Sequence, residues 1–197
     1  MKRVDLPELH YITPIENVQS ILAIGILSHR RSRRLNPASI AKKEVQDLRA
    51  KVRIPGGRPL HEYANLYICA RNPMMYVRSG LHETTCVLRV SPDVLDLPSV
   101  VITDQNAASD YCRFMPSPGG LEVVDRDMVF ADDWRHAGNP AAYYRHRSVK
   151  CAEVLVPDAV SAKYVVGAYA SGPIAEQALA ACAPELSVTI NAHIFFR

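Results

Sequence analysis

The order of secondary-structure signals in this 197-residue chain predicts an α+β fold of two small antiparallel sheets that face each other, with helices at the periphery. Three observations lead there. Short β-favouring runs recur from Leu9 to the C-terminus, and long helical periodicity is scarce. Strands and helices do not alternate in the regular βαβ manner of a parallel sheet. No Gly-x-Gly-x-x-Gly turn and no Walker loop follows any strand, so neither a Rossmann nor a P-loop site is indicated.

Leu9-His10-Tyr11-Ile12 reads as the first strand. Thr13-Pro14-Ile15-Glu16 has the signature of a helix start, with Thr at N-cap, Pro at N1 and Glu at N3. Ile15, Val18, Ile21 and Leu22 share an apolar face, and Gly25 fits the C-cap. Residues 29–58 show no strand pattern. A helix from about Pro37 to Val52 is expected there, stopped by the turn-rich stretch from Ile54 to Pro59. Leu66–Cys69 is a second strand, Asn72–Tyr76 begins a short helix, and Cys86–Val90 and Val100–Ile102 are further strands. Residues 115–149 are rich in Pro and Gly and read as a long irregular loop, a feature that usually carries function. It feeds directly into the strand Cys151–Val156. A strand at Lys163–Ala168, a helix at Pro173–Cys182 and a strand at Ser187–Phe196 complete the chain.

The length suits one domain over residues 1–197, and 48% apolar with 22% charged residues is ordinary for a globular protein. No apolar run reaches the ~18 residues that span a bilayer, and the N-terminus has no apolar leader, so a cytoplasmic location without membrane partners is expected. Five scattered cysteines without a Cys-x-x-Cys pair point to reduced thiols and to neither a disulfide framework nor a zinc site. His61-Glu62, His82-Glu83 and His136 also lack metal-ligand spacing, and no metal is expected. The net charge of +3 hides an asymmetry: residues 29–58 carry ten Lys/Arg against two acids, so the remainder is net acidic. Such a basic segment is the footprint of a polyanion, either a nucleic acid or a cofactor pyrophosphate.

One acid stands inside an apolar strand. Glu153 interrupts Cys151–Val156 and shares a face with Cys151 and Leu155. A buried carboxylate must be paired, protonated or turned to a ligand cleft. From the residues alone, a structural and a catalytic acid remain equally open. His10, at a strand end just before a helix start, has the same two readings.

Several segments, in order along nearly the whole chain, resemble the DarT family of DNA ADP-ribosyltransferase toxins. They are Leu9-His10-Tyr11-Ile12-Thr13, Ser39-Ile40-Ala41, Gln46-Asp47-Leu48-Arg49, the block from Leu66 to Tyr76, Thr103-Asp104-x-Asn106-Ala107, Asp133-Trp134, and Arg147 with Ala152-Glu153-Val154-Leu155-Val156. The resemblance implies an ADP-ribosyltransferase fold that binds NAD between its two sheets. It further implies mono-ADP-ribosylation of a base in single-stranded DNA, thymine ahead of guanine, and a macrodomain antitoxin as partner. A monomer is expected. By motif, Glu153 is the catalytic acid and Arg49 stabilises the reacting NAD, while His10 and Thr13 meet the nicotinamide side and its ribose. Tyr67 has two open readings, a core residue or a ring that stacks on nicotinamide. Residues 29–58 become an NAD- and DNA-binding helix-loop with Arg30 and Arg31 on the DNA, and residues 115–149 the substrate-recognition loop. Arg71, Asn106 and Arg147 are further DNA candidates.

The residue types suit that chemistry. Cleaving the nicotinamide–ribose bond builds positive charge at the anomeric carbon, as in glycoside cleavage, and a carboxylate near the ribose stabilises it. The same acid can take a ring proton from the attacking base. Two departures stand out: Leu48 where family members often carry a second arginine, and Ile194-Phe195-Phe196 where they often end in a Trp-Tyr pair. Rival readings are an enzyme of this fold acting on protein or RNA, including an RNA 2′-phosphotransferase, and a catalytically dead nucleic-acid-binding module. The last has no use for Glu153 inside an apolar strand.

Overall fold

A computed structural model describes residues 1–197. Its regular elements are, in order, β1 (Leu9–Pro14), α1 (Val18–Ile24), β2 (Ile26–Leu27), α2 (His29–Ser32), α3 (Lys43–Arg49), β3 (Tyr63–Tyr67), α4 (Pro73–Val77), β4 (Thr85–Val90) and β5 (Val101–Thr103). They continue with β6 (Phe114–Pro116), α5 (Arg126–Phe130), α6 (Pro140–Val149), β7 (Glu153–Pro157), β8 (Ala159–Val160), β9 (Val165–Ala170), α7 (Pro173–Cys182) and β10 (Val188–Ile190).

Eight strands share one ladder in the order β10-β9-β4-β1-β3-β7-β5-β6, and β2 pairs with β8 apart from it. The ladder is nearly cut in two. β1 pairs with β4 from Leu9↔Val90 to Pro14↔Thr85, and β3 with β7 from Tyr63↔Pro157 to Tyr67↔Glu153. Between β1 and β3 a single pair remains, His10↔Tyr67. Beyond it the strands part and leave a fork. The two half-sheets on either side are the two sheets the sequence predicts, with one difference: β9 and β10 run parallel. Helix α7 crosses between them and returns the chain in the same direction, which a hairpin cannot do.

Local signals explain several boundaries. Asn72 caps α4 by accepting from the Met75 N–H, with Pro73 behind it. Gly25 ends α1 at φ +90°, and a Cβ there would lie 2.4 Å from the Val160 carbonyl oxygen, so glycine lets the β2–β8 pair dock beside the helix.

Elsewhere tertiary contacts override the local signal. Thr13 does not cap a helix; it stays in β1 opposite Cys86, and α1 begins only at Val18. The helix expected over 37–52 shrinks to Lys43–Arg49, because side chains from other elements take the preceding carbonyls: Asn17 donates to Ala38 at 2.9 Å and Arg78 to Ile40 at 2.7 Å. Residues 115–149 are more regular than expected, since Asp125 caps α5 and Asn139 caps α6 between the Gly- and Pro-rich turns. The expected strand Ser187–Phe196 is confined to β10, and a 3-10 turn over Ala192–Phe195 follows.

The main core lies on one side of the ladder, where Leu9, Leu66, Leu88, Ile102 and Val154 meet Val18 and Ile21 of α1 and Leu179 of α7. A second cluster of Ile12, Ala70, Met75, Val87, Ile194 and Phe195 seals the region beside the fork. Phe195 is fully buried there. Phe195→Ala is therefore expected to lose about 3–5 kcal/mol of stability, read as a lower urea midpoint at unchanged m-value.

Candidate active site

Strand register assembles the site. His10 lies opposite Tyr67 and Tyr67 opposite Glu153, so the three side chains leave the same face in one row across β1, β3 and β7. Arg89 of β4, opposite His10, extends the row outward. The row crosses the ladder at the one pair that joins the half-sheets, the root of the fork.

Glu153 is fully buried and fully engaged. Arg49 donates to it through Nη1 and Nη2, each at 2.8 Å, and the Ala107 N–H adds a third bond at 3.2 Å. Its backbone is held as well: the Glu153 N–H donates to Thr103 Oγ1 at 3.0 Å, and that hydroxyl donates to the Glu153 carbonyl at 3.3 Å. Burial opposes the charge on Arg49, but the Glu153 carboxylate outweighs it and the guanidinium pKa is raised. Burial, reinforced by the Glu153 charge, raises the Tyr67 phenol and keeps it a neutral donor.

A cavity of about 1310 Å³ opens in the fork. Tyr11, Ile12 and Thr13 line it from β1, and Tyr63, Asn65 and Tyr67 from β3. The basic segment from His29 to Arg49 forms a second wall, and Asn106, Tyr144 and Arg147 a third. Arg49 faces the cavity, whereas Glu153 sits behind it. No three His, Cys, Asp or Glu side chains converge in a way that would hold a metal ion.

His10 does not line the cavity. Its Nε2 faces Glu8 Oε1 and its Nδ1 faces the Ile68 carbonyl, each at 3.2 Å. Both partners are acceptors for a ring N–H. Glu8 also accepts from Arg89 Nε and from the Tyr169 hydroxyl, both at 2.7 Å. Burial pushes the Glu8 carboxyl up, but the donors His10, Tyr169 and Arg89 outweigh it and lower its pKa to about 2. Glu8 thus fixes the orientation of the His10 ring.

The structure brings Glu153, Arg49, Thr13, Tyr67, Asn106 and Arg147 around one cavity. Thr13 Oγ1 accepts from Asn17 at 3.2 Å. Asn106 shapes the turn that aims the Ala107 N–H at Glu153, its Oδ1 accepting from the Ala108 N–H at 2.9 Å. Arg71 lies elsewhere: it donates to the His193 carbonyl, approaches Asp132 and stacks 3.9 Å over Phe196, tying down the C-terminus. Arg30 pairs with Glu62, and Arg31 is exposed outside the cavity.

Sequence reasoning missed Glu8, Tyr144 and Lys150. Tyr144 and Arg147 stand one helical turn apart on α6, a spacing visible in the sequence once α6 is known to be a helix. Lys150, fully buried, donates to the Val129 and Ala131 carbonyls at 2.7 Å each, and burial lowers its pKa. It fastens the 115–149 segment to the base of the Glu153 strand.

Solved structures give the class of this fold. The Thermus sp. 2.9 DarT in complex with ADP-ribosylated ssDNA superposes with a TM-score of 0.82 at 26% identity, covering 97% of each chain. The Thermosipho africanus DarTG in complex with ADP-ribose gives the same TM-score at 27% identity over 96% of this chain and 51% of that one. The fold is that of a DNA ADP-ribosyltransferase. Residues 10–196 match the family described as ssDNA thymidine ADP-ribosyltransferase, DarT, and the chain belongs to that family. A DNA ADP-ribosyl transferase–DNA ADP-ribosyl glycohydrolase fusion protein of Thermosipho africanus (strain H17ap60334) is 34% identical over 83% of this chain. The chain spans 42% of that fusion's length.

Two predictions follow from the geometry. Removing either member of the buried pair strands the other charge, so Arg49→Met or Glu153→Leu alone should cost about 3–5 kcal/mol. The double variant should recover most of that loss in a double-mutant cycle of chemical unfolding. The second concerns acid. With its pKa lowered to about 2, Glu8 contributes stability that is present above the ordinary carboxylate range and lost as pH falls through about 2. Thermal unfolding between pH 6 and 2 should therefore fall less steeply for Glu8→Gln than for the wild type.

Proposed function

We propose that this chain transfers one ADP-ribose from NAD to a base of single-stranded DNA, thymine ahead of guanine, as the toxin of a toxin–antitoxin pair. The observation that carries the reading is the buried Glu153–Arg49 pair, set in register with Tyr67 at the root of a cavity large enough for a dinucleotide. The cavity residues fit NAD: Arg49 and Lys42 offer cations to a pyrophosphate, and Tyr67 and Tyr11 offer ring faces.

Bound there, NAD supplies the ADP-ribosyl group and nicotinamide leaves. Arg49 meets the ligand first. Turning toward an anionic ligand, it uncovers the carboxylate behind it, and Glu153 then stands free to stabilise the sugar and to accept the ring proton of the attacking base. The Thr103 hydroxyl and the Ala107 N–H hold that acid while the arginine moves. Tyr144 and Arg147 on α6 supply a stacking face and a cation at the DNA side.

Membership of a family described by thymidine supports the choice of base. The fusion of a relative to a DNA ADP-ribosyl glycohydrolase supports a partner that reverses the modification, and a reaction on DNA suits the cytoplasm.

Incubation with NAD and mixed single-stranded oligonucleotides, read by mass spectrometry, tests the proposal. An ADP-ribose adduct on thymine-containing strands is expected, absent with Glu153→Gln and removed by a DNA ADP-ribosyl glycohydrolase. Adducts on RNA or protein with none on DNA would overturn it, and adducts confined to guanine would overturn the choice of base.

A further inference from the structure

A second hollow, of about 590 Å³, lies beside the active-site cavity and is lined by His29, Arg30, Arg33, Arg34, His61 and Glu62. The two spaces adjoin, since His29, Arg33 and His61 line both. Within the basic segment, carboxylate partners go to Arg30, Arg49 and Arg58, which leaves Arg33 and Arg34 without one. Three guanidinium charges thus face the single carboxylate of Glu62. The rings of His29 and His61 lie 4.2 Å apart, and the buried Nε2 of His61 has no hydrogen-bond partner. A buried polar atom left unpaired beside unpaired cations calls for an acceptor that carries negative charge.

We propose that this hollow is a phosphate subsite that holds the backbone of the DNA strand away from the target base, with Arg33 and Arg34 supplying charge and His61 Nε2 the directed donor. The proposal rests on the DNA-modifying reading above and adds a place to it. His61 stands just before Tyr63, at the end of β3 remote from Tyr67. That length of strand is about 13 Å at the usual rise, so a phosphate seated there belongs to a flanking nucleotide. Arg30 and Arg34 are exposed on the open side, where a strand can continue. The pyrophosphate of NAD carries the same chemistry, and the experiment separates the two.

A proton accompanies the phosphate. Burial, then the charges of His29, Arg49 and Arg33, lower the pKa of His61 to about 4, and burial with Arg33 and Arg49 lowers that of His29. Glu62, paired with Arg30, is the acid facing them. A bound phosphate offsets this cationic field, so the imidazoles take up protons on binding. DNA affinity then rises as pH falls from 7 toward 5, and the gain saturates below about 4, where free His61 is already protonated.

The test compares wild type with Arg34→Gln, an exposed residue that lines this hollow and not the active-site cavity, with folding checked by thermal melting. Labelled long and short oligothymidines are titrated over a salt series, and NAD affinity is measured by calorimetry. The expected result is weaker binding of the long strand, with a salt slope reduced by about 0.7 for the one contact removed. The short strand and NAD should bind as before. His61→Gln should flatten the pH dependence of long-strand affinity. Unchanged long-strand affinity and slope would overturn the subsite, and weakened NAD binding with intact DNA binding would assign the hollow to NAD instead. Equal pH slopes for wild type and His61→Gln would remove the histidine from it. Wild-type protein that neither binds nor modifies DNA overturns the parent reading with it, whereas modification of DNA with insensitive variants overturns the subsite alone.

Discussion

An arginine and a glutamate joined by two hydrogen bonds away from water set the terms for the rest of this molecule. Neither charge is tolerable alone inside the protein, so the strand that carries Glu153 and the segment that carries Arg49 must come together, each charge replacing the water the other loses on burial. The requirement works outward. The Thr103 hydroxyl fixes the backbone of the acid, and the turn at Asn106 delivers a peptide N–H to the carboxylate. The basic segment, with few apolar anchors of its own, is drawn over the mouth of the sheet by its last helical residue. A wall of positive charge thereby comes to face the cavity.

The cavity exists because β1 and β3 share one pair and then part. Each half-sheet is completed on its outer side, by β4 and β9 for β1 and by β7 and β5 for β3, and the inner edges of β1 and β3 face each other across the fork. Two polar networks stand on opposite sides of the split. Glu8 gathers His10, Arg89 and Tyr169 on one half-sheet, and Glu153 gathers Arg49 and Ala107 on the other. Tyr67, at the junction, touches the logic of both. Its position follows from register, and a slip of one residue in β3 would turn it to the opposite face.

The wall that meets DNA in this reading is anchored to the same strand as the acid. Lys150 buries its ammonium against the Val129 and Ala131 carbonyls three residues before Glu153. Helix α6 then leads straight from Tyr144 and Arg147 into that lysine. A recognition surface fastened so close to the reacting group holds its distance to the target base even if the intervening turns move.

The amino-acid sequence by itself determined the elements whose signals are local: the cap at Asn72, the glycine stop at Gly25, and the strand pattern around Val154. It also determined the charge asymmetry of residues 29–58 and the anomaly of Glu153, because burial of an acid among apolar neighbours is visible wherever they adjoin in sequence. Resemblance to DarT singled out Glu153 and Arg49 as residues of one site, which no spacing could reveal. Only the tertiary structure decided that Arg49 covers Glu153, that Glu8 holds His10, that Arg71 serves the C-terminus, and that Thr13 stays in a strand. It alone decided that Arg33, Arg34 and His61 border one hollow. The physical reason is common to all of these: each depends on which strand lies beside which, and cross-strand register is set by the packing of the whole sheet rather than by any one segment.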